Sequence, residues 1–317
     1  MHWAKMQEAG GQAGMRFLLF VYRFCGRWLF RFFLFFVLLW FYARKRIARK
    51  ASRDYLQRLH TFSGGTTPPP SPRNVFRHFL VFSEIMLDKL LAVGVPNHLT
   101  DYRVDGLEYI ALLLEQKRGG ILVTAHLGNI ELFRKLAGHR ADLRLTVLGH
   151  SKNATRFTQL MKERDPNYDV DLIQVDDIGI DTAIALTQRI SAGGFVVLTG
   201  DRVPINSATA TVRVPFLGYE ANFPVSPYVL ASTLQCPLLA VFGIRRYGEL
   251  IITIRQLAES ISLPRRSRET SVIPYAIAFA ELLEAECLKS PFQWSNFYPF
   301  WAQPEPAKSA AKTEEAC

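Results

Sequence analysis

The segment ILVTA, residues 121–125, has the apolar run of a buried strand and delivers His126 at its end, with Glu131 following in AHLGNIEL. Five residues apart on one helix, two side chains point about 140° apart and cannot meet. His126, however, precedes the helix, so its ring can fold over the first turn, where Glu131 points back along the chain. Glu131 can then accept one imidazole N–H, fix the tautomer and stabilise an imidazolium, leaving the other ring nitrogen as a general base. Such a pair suits direct attack of a substrate hydroxyl on an activated acyl group, with no serine or cysteine nucleophile. On spacing alone, a core histidine capping a helix beside a surface glutamate is the commoner explanation.

A second candidate is TGDRVP, which places Asp201 and Arg202 directly after the strand-like FVVLTG. An arginine at the same end of a sheet could hold a phosphate or a developing oxyanion, although a loop ion pair is the simpler explanation. Competing motifs fail. Around Ser151 the sequence GHSKN lacks the second glycine of a nucleophile elbow. HExxH, a Walker A loop and GxGxxG are absent. Asp169 and Asp171 in YDVDL could chelate a divalent metal, though such a pair is more often a solvated strand entry. Cys25, Cys236, Cys287 and Cys317 form neither a metal-ligand pattern nor a disulfide framework, which fits a reducing compartment.

Positioning these residues requires a frame, and the hydrophobic pattern predicts one. Strands at 119–125, 143–149, 170–175 and 195–201 alternate with helices over 127–138, 152–163 and 179–191. A strand at 211–216, a proline-bounded helix near 224–235, strands at 238–244 and 249–255, and a closing helix over about 270–288 complete the pattern. Near-continuous apolar strands separated by helices predict an α/β fold with a mostly parallel or mixed sheet covered by helices. Ligands of such sheets collect at the carboxyl ends of the strands.

Charge sets the first sixty residues apart. They hold 12 Lys/Arg against Glu8 and Asp54, which accounts for the whole net charge of +10. The remaining residues balance 26 basic against 26 acidic side chains, so a nucleic-acid-binding domain has little support. With 49% hydrophobic and 21% charged residues, global disorder is excluded. Within the basic segment, residues 17–43 carry only Arg23, Arg27 and Arg31, four apart on one stripe, and meet Arg44, Lys45 and Arg46 at their end. A helix of that length reaches roughly 40 Å, against about 30 Å of bilayer hydrocarbon. These features predict an N-terminal membrane helix, either spanning or lying in the interface, with the rest of the chain in the cytoplasm by the positive-inside rule. The expected organisation is a membrane-anchoring segment over 1–60, a Pro/Gly-rich linker over 61–75, a catalytic domain over 76–301 and a polar tail over 302–317.

Taken together, the blocks resemble a known family. AHLGNIE matches the His-x4-Glu/Asp signature of the lysophospholipid acyltransferase superfamily. VPFLG at 214–218, FPVSP at 223–227 and PFQWSNFYPFW at 291–301 are similar to the lipid A late acyltransferase branch, which includes lauroyl and myristoyl transferases. RHFLVFSEIMLDKL, VDLIQVDDIG and GDRVP look closer still to a bacterial subgroup of predicted acyltransferases. The resemblance implies a glycerolipid acyltransferase-like fold and an inner-membrane enzyme facing the cytoplasm. Such an enzyme moves a fatty acyl group from acyl carrier protein, or from coenzyme A, to a hydroxyl or amine of a lipid or glycolipid, with no metal and no cofactor.

Carried over by position, His126 is the general base and Glu131 its partner, while Gly128 and Asn129 shape a helix start whose N–H groups could meet an anion. Asp201 and Arg202 lie where the superfamily has a Glu-Gly-Thr-Arg block, which here reads Gly200-Asp201-Arg202-Val203. Lys152 and Arg156 are candidates for acceptor contact, with helix-surface charge as their ordinary role. An acidic carrier protein would need a basic patch, for which Arg245-Arg246 and Arg265-Arg266-Arg268 are visible candidates. The alternatives are a membrane-attached glycosyltransferase using Asp169, Asp171 and a metal, or a membrane-tethered assembly factor without chemistry.

Overall fold

The computed structural model describes residues 12–92, 102–129, 143–149, 171–174, 180–203, 211–264 and 266–301. Three helices come first: α1 (Gln12–Arg44), α2 (Arg46–Phe62) and α3 (Pro72–Ala92). There follow β1 (Tyr102–Asp105), α4 (Leu107–Glu115), β2 (Gly120–Thr124), β3 (Leu145–Gly149), β4 (Asp171–Gln174), α5 (Ile180–Ser191) and β5 (Phe195–Thr199). The chain continues through β6 (Thr211–Phe216), β7 (Tyr219–Pro224), α6 (Ser226–Leu234), β8 (Leu238–Arg246), β9 (Glu249–Ala258), the single turn α7 (Arg268–Ser271) and α8 (Ile273–Lys289). Of the helix expected over 127–138, the described residues 127–129 are not helical, Leu127 and Gly128 forming isolated bridges with Trp294 and Gly243; its remainder and the helix expected over 152–163 lie outside the described residues.

Seven strands form one sheet in the order β1-β9-β8-β2-β5-β3-β4. Every neighbouring pair is parallel except β8 with β9, so the sheet is mixed but mostly parallel, as the apolar strands predict. All five residues of β2 are buried, because alternate side chains feed two different cores. Ile121 and Val123 join the core that contains Phe279 and Leu283 of α8, whereas Leu122 joins Ile110 and Leu113 of α4 in the other. Strands β6 and β7 make a separate antiparallel hairpin. The hydrophobic pattern predicts only the first of these two, since the proline-rich segment at 223–227 masks the second.

The expected division between an anchor ending at residue 60 and a domain starting at 76 does not coincide with a break in packing. Tyr55, Leu56 and Leu59 of α2 are completely buried in the main core. The Tyr55 hydroxyl donates to the Pro291 carbonyl at 2.9 Å. The Pro/Gly-rich stretch is a tight connection between α2 and α3, held in part by His60 Nδ1 against the Thr67 carbonyl at 2.6 Å. Apolar spacing along α2 explains the difference: one face of a basic helix is greasy enough to join the core, while Arg46, Lys50 and Arg53 stay exposed.

Of the two forms expected for the N-terminal membrane helix, α1 does not show the spanning one. Gly26 breaks it with φ of 76° and ψ of −179°, and among the described residues no helix is long and apolar enough to cross a membrane. Beyond the break, Phe30, Leu34 and Leu38 recur every four residues and are buried. Phe35 and Tyr42 meet Phe76 of α3 edge to face, and Arg31 pairs with Glu84 of the same helix at 2.7 Å. The remaining aromatic surface is exposed: Trp28, Phe32, Phe36, Leu39 and Trp40 face outward.

A buried histidine ties α2 and α3 to the end of the chain. His78 Nε2 lies 2.8 Å from the Trp294 carbonyl and must donate to it, so its Nδ1 accepts from the Ser52 hydroxyl, also at 2.8 Å. Burial lowers its pKa from 6.5 to about 4, opposed only in part by the bond to Trp294. The folded state therefore keeps His78 neutral where the unfolded chain would protonate it. Stability from this residue is full above pH 6.5 and is lost as the pH falls through 4. Urea unfolding should show a loss of about 3 kcal/mol across that window. His78→Gln should flatten the slope, and an equally steep slope in that variant would contradict the assignment.

Candidate active site

The site arises from one pairing in the sheet. Strands β2 and β5 run parallel in a register that sets Thr124 beside Thr199. Each strand is followed by one small residue, Ala125 or Gly200, and then by the reactive one. With parallel strands about 4.8 Å apart, His126 and Asp201 emerge side by side at the carboxyl end of the sheet. Gly200 is required there, since a Cβ would press on Val123 and on the Phe279 ring.

His126 Nδ1 lies 2.8 Å from Asp201 Oδ1, and the His126 backbone N–H donates to Oδ2 at 3.0 Å. The Trp294 indole N–H donates to the same Oδ2 at 3.0 Å, and the Tyr298 hydroxyl to the Asp201 carbonyl at 3.2 Å. Asp201 is 1% exposed, whereas two-fifths of the His126 side chain faces solvent. Burial alone would raise the Asp201 pKa, but the imidazole, Arg202 and the Trp294 N–H outweigh it and hold the carboxyl far below the usual range. It is ionised at neutral pH.

Arg202 Nε also stands 3.2 Å from His126 Nδ1. Nδ1 carries either a proton or a lone pair, so it cannot both donate to Asp201 and accept from Arg202. The buried carboxylate decides the matter: it needs a donor, while the guanidinium has others to serve. Arg202 donates to the Ser295 carbonyl at 2.9 Å and stacks its guanidinium 4.5 Å from the Tyr298 ring centroid. The proton therefore sits on Nδ1, and Nε2 is the free basic nitrogen. Burial, then Arg202, lower the pKa of His126, with Asp201 pulling the other way and Lys89 adding a small lowering. The imidazole is neutral at pH 7 and able to accept a proton.

The loop after β2 is clamped by the C-terminal segment. Ser295 N–H donates to the His126 carbonyl at 2.7 Å, and Gly128 N–H to the Gln293 carbonyl at 3.0 Å. Asn129 N–H goes to the Gly243 carbonyl at 2.7 Å. The two N–H groups expected to meet an anion are thus already used, and the Asn129 side chain is buried. Gly128 has φ of 65°, and a Cβ there would collide with the Gly243 carbonyl oxygen, so its role is close approach to β8.

The other sequence candidates sort by position. Glu131, Lys152, Arg156 and Asp169 lie outside the described residues. Asp171 opens β4, which runs parallel to the neighbouring strands, so it stands at the sheet end opposite His126. Arg245 pairs with Asp88 at 3.3 Å, and Arg246 approaches Glu286 at 4.0 Å, so neither offers an unpaired charge to a carrier protein. Arg266 and Arg268 are exposed. Trp294, Ser295 and Tyr298 belong to the site although spacing gave them no role; the signals were the aromatic density of PFQWSNFYPFW and its family resemblance.

Comparison with protein families gives a match between residues 78–303 and the model described as bacterial lipid A biosynthesis acyltransferase. No curated protein matches the chain.

If Asp201 is what raises the basicity of His126, Asp201→Asn should leave burial, Arg202 and Lys89 acting unopposed. The His126 pKa, read by NMR titration, should then drop by about 1 pH unit; an unchanged titration would refute the pairing.

Proposed function

The chain belongs to the bacterial lipid A biosynthesis acyltransferase family, its match covering residues 78–303, and is an acyltransferase acting on lipid; on that premise we propose that His126 and Asp201 form its general-base pair. The observation that carries this reading is the buried, ionised Asp201 fixed against His126 Nδ1. The acceptor hydroxyl or amine gives its proton to Nε2 as it attacks the thioester carbonyl of the acyl donor. Asp201 stabilises the imidazolium, as in other histidine–carboxylate pairs. In this reading the Arg202 guanidinium, held by the Ser295 carbonyl and the Tyr298 ring, lends positive charge to the site as the oxyanion develops. Collapse of the tetrahedral intermediate expels the thiolate, which takes the proton back from Nε2. No covalent enzyme intermediate is needed.

With Nδ1 committed to Asp201, this reading does not assign Glu131 of the His-x4-Glu motif the tautomer-fixing role. The donor is an acyl carrier protein or acyl-coenzyme A, and the acceptor a lipid or glycolipid. The enzyme works at the cytoplasmic face of a bacterial inner membrane. The outward aromatic face of α1, from Trp28 to Trp40, continues into the exposed basic residues Arg44, Lys45, Arg46, Lys50 and Arg53. An apolar strip bordered by cations suits an anionic bilayer surface. A glycosyltransferase using Asp169 and Asp171 is set aside by family membership and by Asp171 lying at the other end of the sheet.

Acyl transfer from a lauroyl thioester into an extracted bacterial lipid mixture should fall about 10²- to 10⁴-fold in His126→Gln, within the usual range for a positioned general base. Asp201→Asn should lose kcat with little change in KM for the donor. Retention of wild-type kcat in Asp201→Asn with loss in Glu131→Gln would transfer the orienting role to Glu131. In co-sedimentation with vesicles, the full chain should favour those containing phosphatidylglycerol over neutral ones. Trp28→Ala with Trp40→Ala should weaken that binding; equal binding by the double variant would exclude the α1 face as the contact.

A further inference from the structure

Among the described residues, no Lys or Arg is bonded to the buried Asp201 carboxylate. Its donors are the His126 Nδ1–H and backbone N–H and the Trp294 indole N–H. Of these, only Trp294 is independent of the histidine. The indole itself is 1% exposed and boxed by rings: Tyr55 at 4.9 Å, Phe300 at 5.1 Å, Phe216 at 5.3 Å and Trp301 at 6.0 Å between centroids. Its backbone is fixed as well, since its carbonyl accepts from His78, whose other nitrogen is held by Ser52 of α2. The N–H therefore points at Oδ2 because four side chains and a buried histidine leave the indole no other pose.

We propose that Trp294 is a positioning residue for the transfer reaction: its indole N–H fixes the Asp201 carboxylate and thereby sets the orientation and proton affinity of His126, with His78 as its brace. The inference rests on the His126–Asp201 reading above. A carboxylate that shares its charge with the indole pulls less on the imidazole than one bonded to the histidine alone. Removing the indole N–H leaves Oδ2 with the His126 backbone donor only, strengthens the pull on the imidazolium and raises the His126 pKa. Among the described residues, the charged groups acting on His126 are Asp201 and Arg202 from the end of β5 and Lys89 from α3. The segment 293–296 presents no charge. Neither Trp294 substitution below alters any of those charges.

The test is an ¹⁵N-histidine NMR titration of the full-length protein in detergent micelles, with His126 assigned by its loss in His126→Gln. Two variants remove the N–H: Trp294→Phe, and replacement of Trp294 by 3-benzothienylalanine, which keeps the bicyclic shape and the fold. Both should raise the His126 pKa by about half a pH unit, and the acid limb of kcat/KM should move upward with it. Tyr298→Phe, which removes a donor to the Asp201 backbone carbonyl and not to the carboxylate, should leave the titration where it was. An unchanged or lowered His126 pKa in the benzothienylalanine protein overturns the proposal. A raised His126 pKa in both variants, with no acyl transfer by the unsubstituted protein, would instead overturn the acyl-transfer reading and leave only the coupling of Trp294 to His126 through Asp201.

Discussion

The site depends on a single pairing, β2 against β5 in parallel with Thr124 opposite Thr199. From that register His126 and Asp201 leave the sheet as neighbours, and a carboxylate is driven into a place where it is 1% exposed. A buried anion must be answered by donors. The answer comes from the histidine and from the C-terminal segment, which crosses beneath the site and supplies the Trp294 indole and the Tyr298 hydroxyl. Asp201, Arg202, Trp294 and Ser295 are thus parts of one arrangement in which each polar group is partnered by the next.

The N-terminal helices share in that arrangement. Ser52 and His78 reach the Trp294 carbonyl, so the layer formed by α2 and α3 is continuous with the catalytic core. Contacts along α1 and α3 run antiparallel: Tyr42 lies near Pro72, Phe35 near Phe76 and Arg31 near Glu84. Farther along α3, Asp88 pairs with Arg245 of β8, and Lys89 contributes to the potential at His126. The aromatic face of α1 therefore leads toward the end of the sheet that carries the histidine.

Much of this was legible in the residues. Apolar runs such as ILVTA and FVVLT announced strands buried on both faces, and His126, Asp201 and Arg202 stood out because each follows such a run. The contact of the histidine with Asp201 was not legible. Asp201 is 75 residues away from His126 and becomes adjacent only because β5 inserts between β2 and β3. Strand order depends on how helices cover the sheet, and local periodicity does not encode it. The availability of backbone donors was hidden for a related reason. Gly128 and Asn129 look like an anion-binding helix start until Gln293 and Gly243 are seen to take their N–H groups. In α1 the residue types suggested a membrane helix, but the pattern of Phe30, Leu34 and Leu38 serves protein packing on one side.

The central claim is that Asp201 holds the Nδ1 proton of His126 and leaves Nε2 bare. One-bond ¹⁵N–¹H couplings and ¹⁵N shifts at His126 report this directly in the full-length protein near pH 8. The account predicts a protonated Nδ1 and an unprotonated Nε2, with the Nδ1 signal lost or displaced in Asp201→Asn. A proton on Nε2, with Nδ1 accepting from Arg202, would contradict it.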